Sequence, residues 1–149
     1  MNIKIKKLTD TAKIPTRGSD YAAGYDLYAD IPNYVMGGFS LPPHNTIKIG
    51  TGIAVEIPEG YFGAILPRSG LSTKKGLRPA NTPGCIDSDY RGEVIVAIHN
   101  DSDQVQYIEA NERIAQLVII PFLPVEFEEV KELSDTDRGS GGFGSTGTK

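Results

Sequence analysis

Residues 46–57 read TIKIGTGIAVEI, and this stretch decides the fold class. Its apolar side chains fall at every second position, with polar or small residues between them. That spacing lines one face of a pleated strand and scatters around a helix. Outward from it the same signal returns in IKIKKL, YFGAIL, GEVIVAIHN, RIAQLVIIPF and VEFEEV, each a short run bounded by turn residues. Ten prolines and seventeen glycines punctuate the runs, as a compact β sandwich or barrel requires. Helical periodicity is hard to find, so the expected class is all-β. Pro42, Pro43, Pro58, Pro67, Pro83, Pro121 and Pro124 stand at run ends or between runs, where a missing amide donor costs little.

A chain of 149 residues fits one domain with a real core. No internal repeat is visible, and apolar residues thin out only near the end. The expected division is a barrel over residues 1–133 and a mobile arm over residues 134–149. The formal net charge of −4 argues against a binder of nucleic-acid polymer, although local arginines can still hold a small anion. MNIKIKKL carries lysines but no apolar core of a signal peptide follows, and no run reaches membrane-spanning length, so a cytoplasmic protein is expected.

Several chemistries can be set aside. Cys85 is the only cysteine, so there is no internal disulfide. His44 and His99 are the only histidines and neither has a ligand-spaced companion, which speaks against tetrahedral zinc. His44 reads as a solvated turn residue and His99 as strand-end packing; no GxSxG elbow accompanies either. SxxK in STKK lacks the companion motifs of penicillin-binding enzymes. The DxDx opening at Asp87 resembles a calcium loop, but Arg91 takes a ligand position and the closing glutamate is missing. Gly139, Gly141 and Gly144 satisfy GxGxxG, and residues 142–147 have P-loop spacing until Thr148 stands where lysine belongs. Both motifs need a helix to follow, and Lys149 ends the sequence.

Four of the six arginines, Arg68, Arg91, Arg113 and Arg138, sit in PRSGLS, GCIDSDYRGEV, RIAQLV and RGSGGFGSTG, whereas the nine lysines mostly lie near the N-terminus or in STKKG. A planar guanidinium suits bidentate phosphate contact, while exposed lysines mostly solubilise. In PRSGLS, Arg68 joins a hydroxyl and free backbone amides, either an ordinary polar turn or a phosphate contact. Read as a β-hairpin, GCIDSDYRGEV brings together a carboxylate able to polarise water and an aromatic ring, Tyr90, able to stack on a sugar or base.

Together with AGYDLYAD, these stretches form five ordered motifs that resemble those of the trimeric dUTPases, from about Ala23 to Gly147. The resemblance implies a jelly-roll-like distorted β-barrel, a homotrimer with active sites at subunit interfaces, and no membrane or nucleic-acid polymer as partner. It implies hydrolysis of dUTP to dUMP and pyrophosphate with Mg2+ on the triphosphate, which keeps uracil out of DNA and supplies dUMP for thymidylate synthesis. Asp87 would activate the water that attacks the α-phosphorus, and Tyr90 would lie against the deoxyribose and disfavour a 2'-hydroxyl. Asn81 and the backbone from Gly84 through Ile86 would read the uracil edge. Arg68, Ser69, Gly70 and Gln116 would hold the triphosphate. Asp26 would order metal-side water or local structure. In the arm, Phe143 would stack on uracil while Arg138, Gly144, Ser145 and Thr146 close over the phosphates. The nearest alternatives are a dCTP deaminase of the same fold and a dUTPase scaffold with an added protein-binding role. Two features depart from the family pattern: Cys85 stands at an aliphatic position, where a small buried hydrophobe is expected, and residues 31–45 make a longer surface loop or a partner contact.

Overall fold

A computed structural model of the chain describes residues 1–32 and 35–142. Among these described residues twelve strands and one helix follow in the order β1 (Lys4–Lys7), β2 (Thr16–Arg17), β3 (Tyr25–Tyr28), β4 (Phe39–Leu41), β5 (Thr46–Gly50), β6 (Ile53–Glu56), β7 (Tyr61–Leu66), α1 (Ser69–Lys75), β8 (Leu77–Pro79), β9 (Gly84–Ile86), β10 (Ile95–Asn100), β11 (Gln106–Ile108) and β12 (Arg113–Pro121). All ladders are antiparallel. The largest sheet runs β2-β3-β12-β7-β9, a second runs β5-β10-β8, and β1-β6 and β4-β11 form two-stranded ribbons. The result is the expected all-β, jelly-roll-like barrel, and no described helix is long and apolar enough to cross a membrane.

The stretch read as one alternating unit is where the chain changes sheets. β5 alternates as expected, with Ile49 buried between exposed Lys48 and half-buried Gly50, and pairs with β10. β6 pairs with β1 instead, and Ile53, Ala54 and Val55 are all buried, because both of its faces are covered. Gly52 turns the corner at a φ of 65°. A side chain there would also strike the Asp30 carboxylate, which already accepts hydrogen bonds from Thr9 (2.5 Å) and Thr11 (2.7 Å).

The core is aliphatic: Leu27, Ile49, Ile53, Leu77, Ile98, Ile108 and Ile114 are shut off from solvent. Each such burial is worth roughly 1.5–3 kcal/mol. Asn100 is equally buried but polar. Its amide donates to the carbonyls of Leu41, Pro42 and Gln104 and its oxygen accepts from Ser102, so it ties the end of β10 to two loops.

Three expectations need correction. PRSGLSTKK is not a polar turn but the start of a helix, too short to display periodicity, closed by Lys74, Lys75 and a left-handed Gly76. VEFEEV forms no strand: the last ladder among the described residues ends at Pro121, and Val125, Phe127 and Val130 are exposed. The stretch 31–45 is not all loop, since β4 within it pairs with β11. His44 does occupy an exposed turn, 3.0 Å from Asp103, and His99 lies next to the end of β10 beside Thr46.

Candidate functional site

The first group of predicted residues assembles on the largest sheet. In β12, Gln116 stands opposite Asp26 of β3 on one side and Leu66 of β7 on the other. In an uninterrupted strand Arg113 would point away from the face that Gln116 occupies. A bulge between Arg113 and Ala115 removes that mismatch, burying Ile114 and Ala115 in succession and turning Arg113 toward Asp26. Asp26, buried, then accepts from two guanidinium groups: Arg68 Nε at 2.7 Å and Arg113 Nη1 at 3.1 Å. Arg68 Nη1 also donates to the Arg113 carbonyl at 3.1 Å, and Gln116 Nε2 donates to the Pro67 carbonyl at 2.8 Å. The junction from β7 into α1 is thereby clamped to β12. Ser69 and Gly70 open α1 and are exposed, with open space over Gly70.

The second group lies on and after β9, the edge strand of the same sheet. Asn81 sits just before the strand, its side chain over Gly84, which pairs with Ile65; Ile86 pairs with Gly63. The expected hairpin is not one: β9 pairs with β7, β10 belongs to the other sheet, and the intervening segment turns through a Tyr90 amide bond to the Asp87 carbonyl at 3.2 Å. Asp87 and Tyr90 are nevertheless brought together, lining a cavity of about 140 Å³ with Cys85, Ile86, Glu93 and Ile95. Cys85 is exposed, not a buried hydrophobe, because alternation on an edge strand points it outward. Its thiol lies 3.4 Å from the Asp87 carboxylate, and desolvation by the surrounding protein, then the bond to Asp87 and its charge, push the thiol above its ordinary range.

Within one chain the two groups stay apart. β9 runs antiparallel to β7, so Asp87 follows Ile86 beyond the Gly63 level while Arg68 follows β7 at its other end. Gly63 to Leu66 alone is about 10 Å of strand at roughly 3.3 Å per residue, and both side chains lie further out. The third group is the arm. Arg138 donates to the Gly141 carbonyl at 2.9 Å and, among the described residues, forms no hydrogen bond or ion pair with either of the other groups; Phe143, Gly144, Ser145 and Thr146 lie outside the described residues.

Two side chains carry more than their sequence signal showed. Arg113 stood out only as an arginine in a motif, because a bulge has no simple signature. Glu93 drew no notice, and only its place in the cavity with Asp87 and Tyr90 marks it.

Comparison with known proteins gives this geometry its class. A protein named deoxyuridine 5'-triphosphate nucleotidohydrolase from Hydrogenobaculum sp. is 48% identical over 149 residues, covering 100% of both chains. A protein of the same name from Nautilia profundicola is 50% identical over 147 residues, 99% of each. The class is that of all-β nucleotide hydrolases. The dUTPase family profile matches residues 10–147. A mutant dUTPase of Staphylococcus bacteriophage 80alpha, solved with dUpNHpp, superposes with a TM-score of 0.83 at 32% identity, covering 99% of each chain. The chain belongs to the dUTPase family.

Proposed function

We propose that this chain hydrolyses dUTP to dUMP and pyrophosphate at a site shared between copies of itself. The observation that carries the shared site is the separation of Asp87 from Arg68 along β7. The α- and γ-phosphorus atoms of a triphosphate are joined through only two bridging oxygens and the β-phosphorus. In this reading the arginines that grip the phosphates and the carboxylate that serves the α-phosphorus come from different subunits, as in a homotrimer. Two surfaces support the assembly. One is an apolar groove of about 530 Å³ lined in part by Ile3, Ile5, Tyr25, Val55, Leu117 and Ile119. The other is the segment after β12, where Leu123, Val125 and Phe127 are exposed.

In this reading Arg68, Ser69, Gly70 and Gln116 receive the triphosphate. Asp26 is the structural anchor of that end: each of its oxygens accepts from a guanidinium group, so it orders the cluster. A triphosphate-borne ion suits this donor set, since Mg2+ commonly binds through substrate phosphates and few protein carboxylates. Bound there, Mg2+ would screen the charge that repels an anionic nucleophile. Asp87 takes the proton from the water that attacks the α-phosphorus. Asn81 and the Gly84–Ile86 backbone read the uracil edge, where cytosine would set donor against donor, a mismatch of roughly 1–3 kcal/mol. Tyr90 lies against the deoxyribose. The arm from residue 134 closes over the nucleotide, Phe143 on uracil and Arg138, Gly144, Ser145 and Thr146 on phosphate. A nucleotide panel with Mg2+, scored for pyrophosphate, tests this: cleavage confined to dUTP is expected. Ammonia release from dCTP would replace the reading with a deaminase.

A further inference from the structure

We infer that Glu93 is a positioning residue that fixes Tyr90 and so sets the preference for deoxyribose over ribose triphosphates; this rests on the reading above that places Tyr90 against the sugar. The Tyr90 hydroxyl donates to the Glu93 carbonyl at 2.9 Å, which folds the ring back over its own segment. That carbonyl is immobilised in turn. The Glu93 carboxylate reaches across to accept the Gly52 amide at 2.8 Å, at the corner where the chain changes sheets. The next residue, Val94, is held by its amide to the Ile53 carbonyl (2.8 Å) and by its carbonyl to Thr51 Oγ1 (2.6 Å). The segment carrying Tyr90 is thus stitched to the β5–β6 corner at two successive residues, and Glu93 is the one in contact with Tyr90.

Space is reserved for this arrangement at two glycines. A side chain at Gly50 would strike the Glu93 carboxylate, and one at Gly92 would strike the Tyr90 ring. Glu93 is half-buried and its amide bond to Gly52 satisfies it, while Tyr90 stays 41% exposed on its outer side, where a sugar would rest. A ring held at both its backbone and its hydroxyl cannot swing aside to admit a 2'-hydroxyl. A ring held at the backbone alone can.

The test compares kcat/KM for dUTP and UTP, with Mg2+, in the full chain and in Glu93→Ala, Glu93→Gln, Tyr90→Phe and Glu93→Ala/Tyr90→Phe. Glu93→Ala and Tyr90→Phe should each lower the dUTP/UTP preference by about fivefold or more, the scale of one net hydrogen bond. The double variant should lose no more than the larger single loss, because both act through one contact. Glu93→Gln, which keeps an acceptor for the Gly52 amide, should retain the preference. Unchanged preference in Glu93→Ala or in Tyr90→Phe overturns the inference. Should Glu93→Ala fail to fold, Tyr90→Phe decides alone, since it deletes only the hydroxyl. A wild-type chain that cleaves dUTP and UTP equally would sink the functional reading itself, an outcome distinct from a preference that ignores Glu93.

Discussion

The two ends of β7 are built on opposite plans. At the α1 end, Arg68 and Arg113 both donate to Asp26, buried at the centre, while Arg68 also donates to the Arg113 carbonyl and Gln116 to the Pro67 carbonyl. At the β9 end, Asp87 is exposed, and its carboxylate has a single weak partner among the described residues, the Cys85 thiol at 3.4 Å. The difference separates two tasks. Charges that hold a ligand must already be in place when it arrives, whereas a base must keep an oxygen free for a proton.

The sharpest way to break this contrast is to remove the base. Asp87→Asn keeps the shape of the open end but cannot take a proton. It should bind dUTP about as well as the parent while turning it over at least about a hundred times more slowly, read in single-turnover assays beside a binding titration. Near-native turnover would show that the base lies elsewhere. Asp26→Asn attacks the other end and should act on stability. Two guanidinium groups would then face each other without their shared carboxylate. Because Arg113 is half exposed and partly screened, the expected loss is about 2 kcal/mol and not the full cost of an orphaned buried charge. A lower urea midpoint with a raised KM for dUTP would mark the cluster as both scaffold and grip; an unchanged midpoint would remove it from the scaffold.

The arm stands between these extremes. The hydrogen bonds around Arg138 stay within residues 136–141, so the segment contributes little to the folded body. Deleting residues 138–149 should leave the urea midpoint nearly unchanged and cost about tenfold or more in kcat/KM, as loss of a closing element does. A truncated chain that unfolds would make the arm structural.

Much of this contrast could be read in the sequence, for specific reasons. Period-two runs gave six strands or parts of strands, because alternation is a local property of residues such as Ile47 and Ile49. The site residues could be named because PRSGLS and GCIDSDYRGEV are contiguous. What stayed hidden depends on pairing. The bulge before Ala115, the sheet change at Gly52 and the placement of Arg68 and Asp87 at opposite ends of β7 follow from which strand lies beside which, and no single run records that. VEFEEV shows the reverse error: alternation was present, but a strand also needs an edge to pair with. Lys74, Lys75 and Gly76 did carry a helix-end signal for α1, which alternation elsewhere obscured.

The smallest expected effect concerns Cys85, whose thiol lies beside the base. Desolvation and the adjacent Asp87 raise its thiol above the ordinary range, so at a given pH less of it is thiolate than in a free cysteine. Alkylation by iodoacetamide near neutral pH should therefore run slower than for a model thiol, and should accelerate as pH rises through the raised range. Because the thiol shares a cavity of about 140 Å³ with Asp87 and Tyr90, the carbamidomethyl group should also block dUTP hydrolysis, and dUpNHpp should protect. Cys85→Ser keeps a donor to the carboxylate and should turn over within about twofold of the parent while resisting the reagent, given that a neutral donor to a half-open carboxylate is worth little. Alkylation as fast as the model thiol would mean that the thiol does not face Asp87. The open end of β7 would then hold its base with no partner from its own strand.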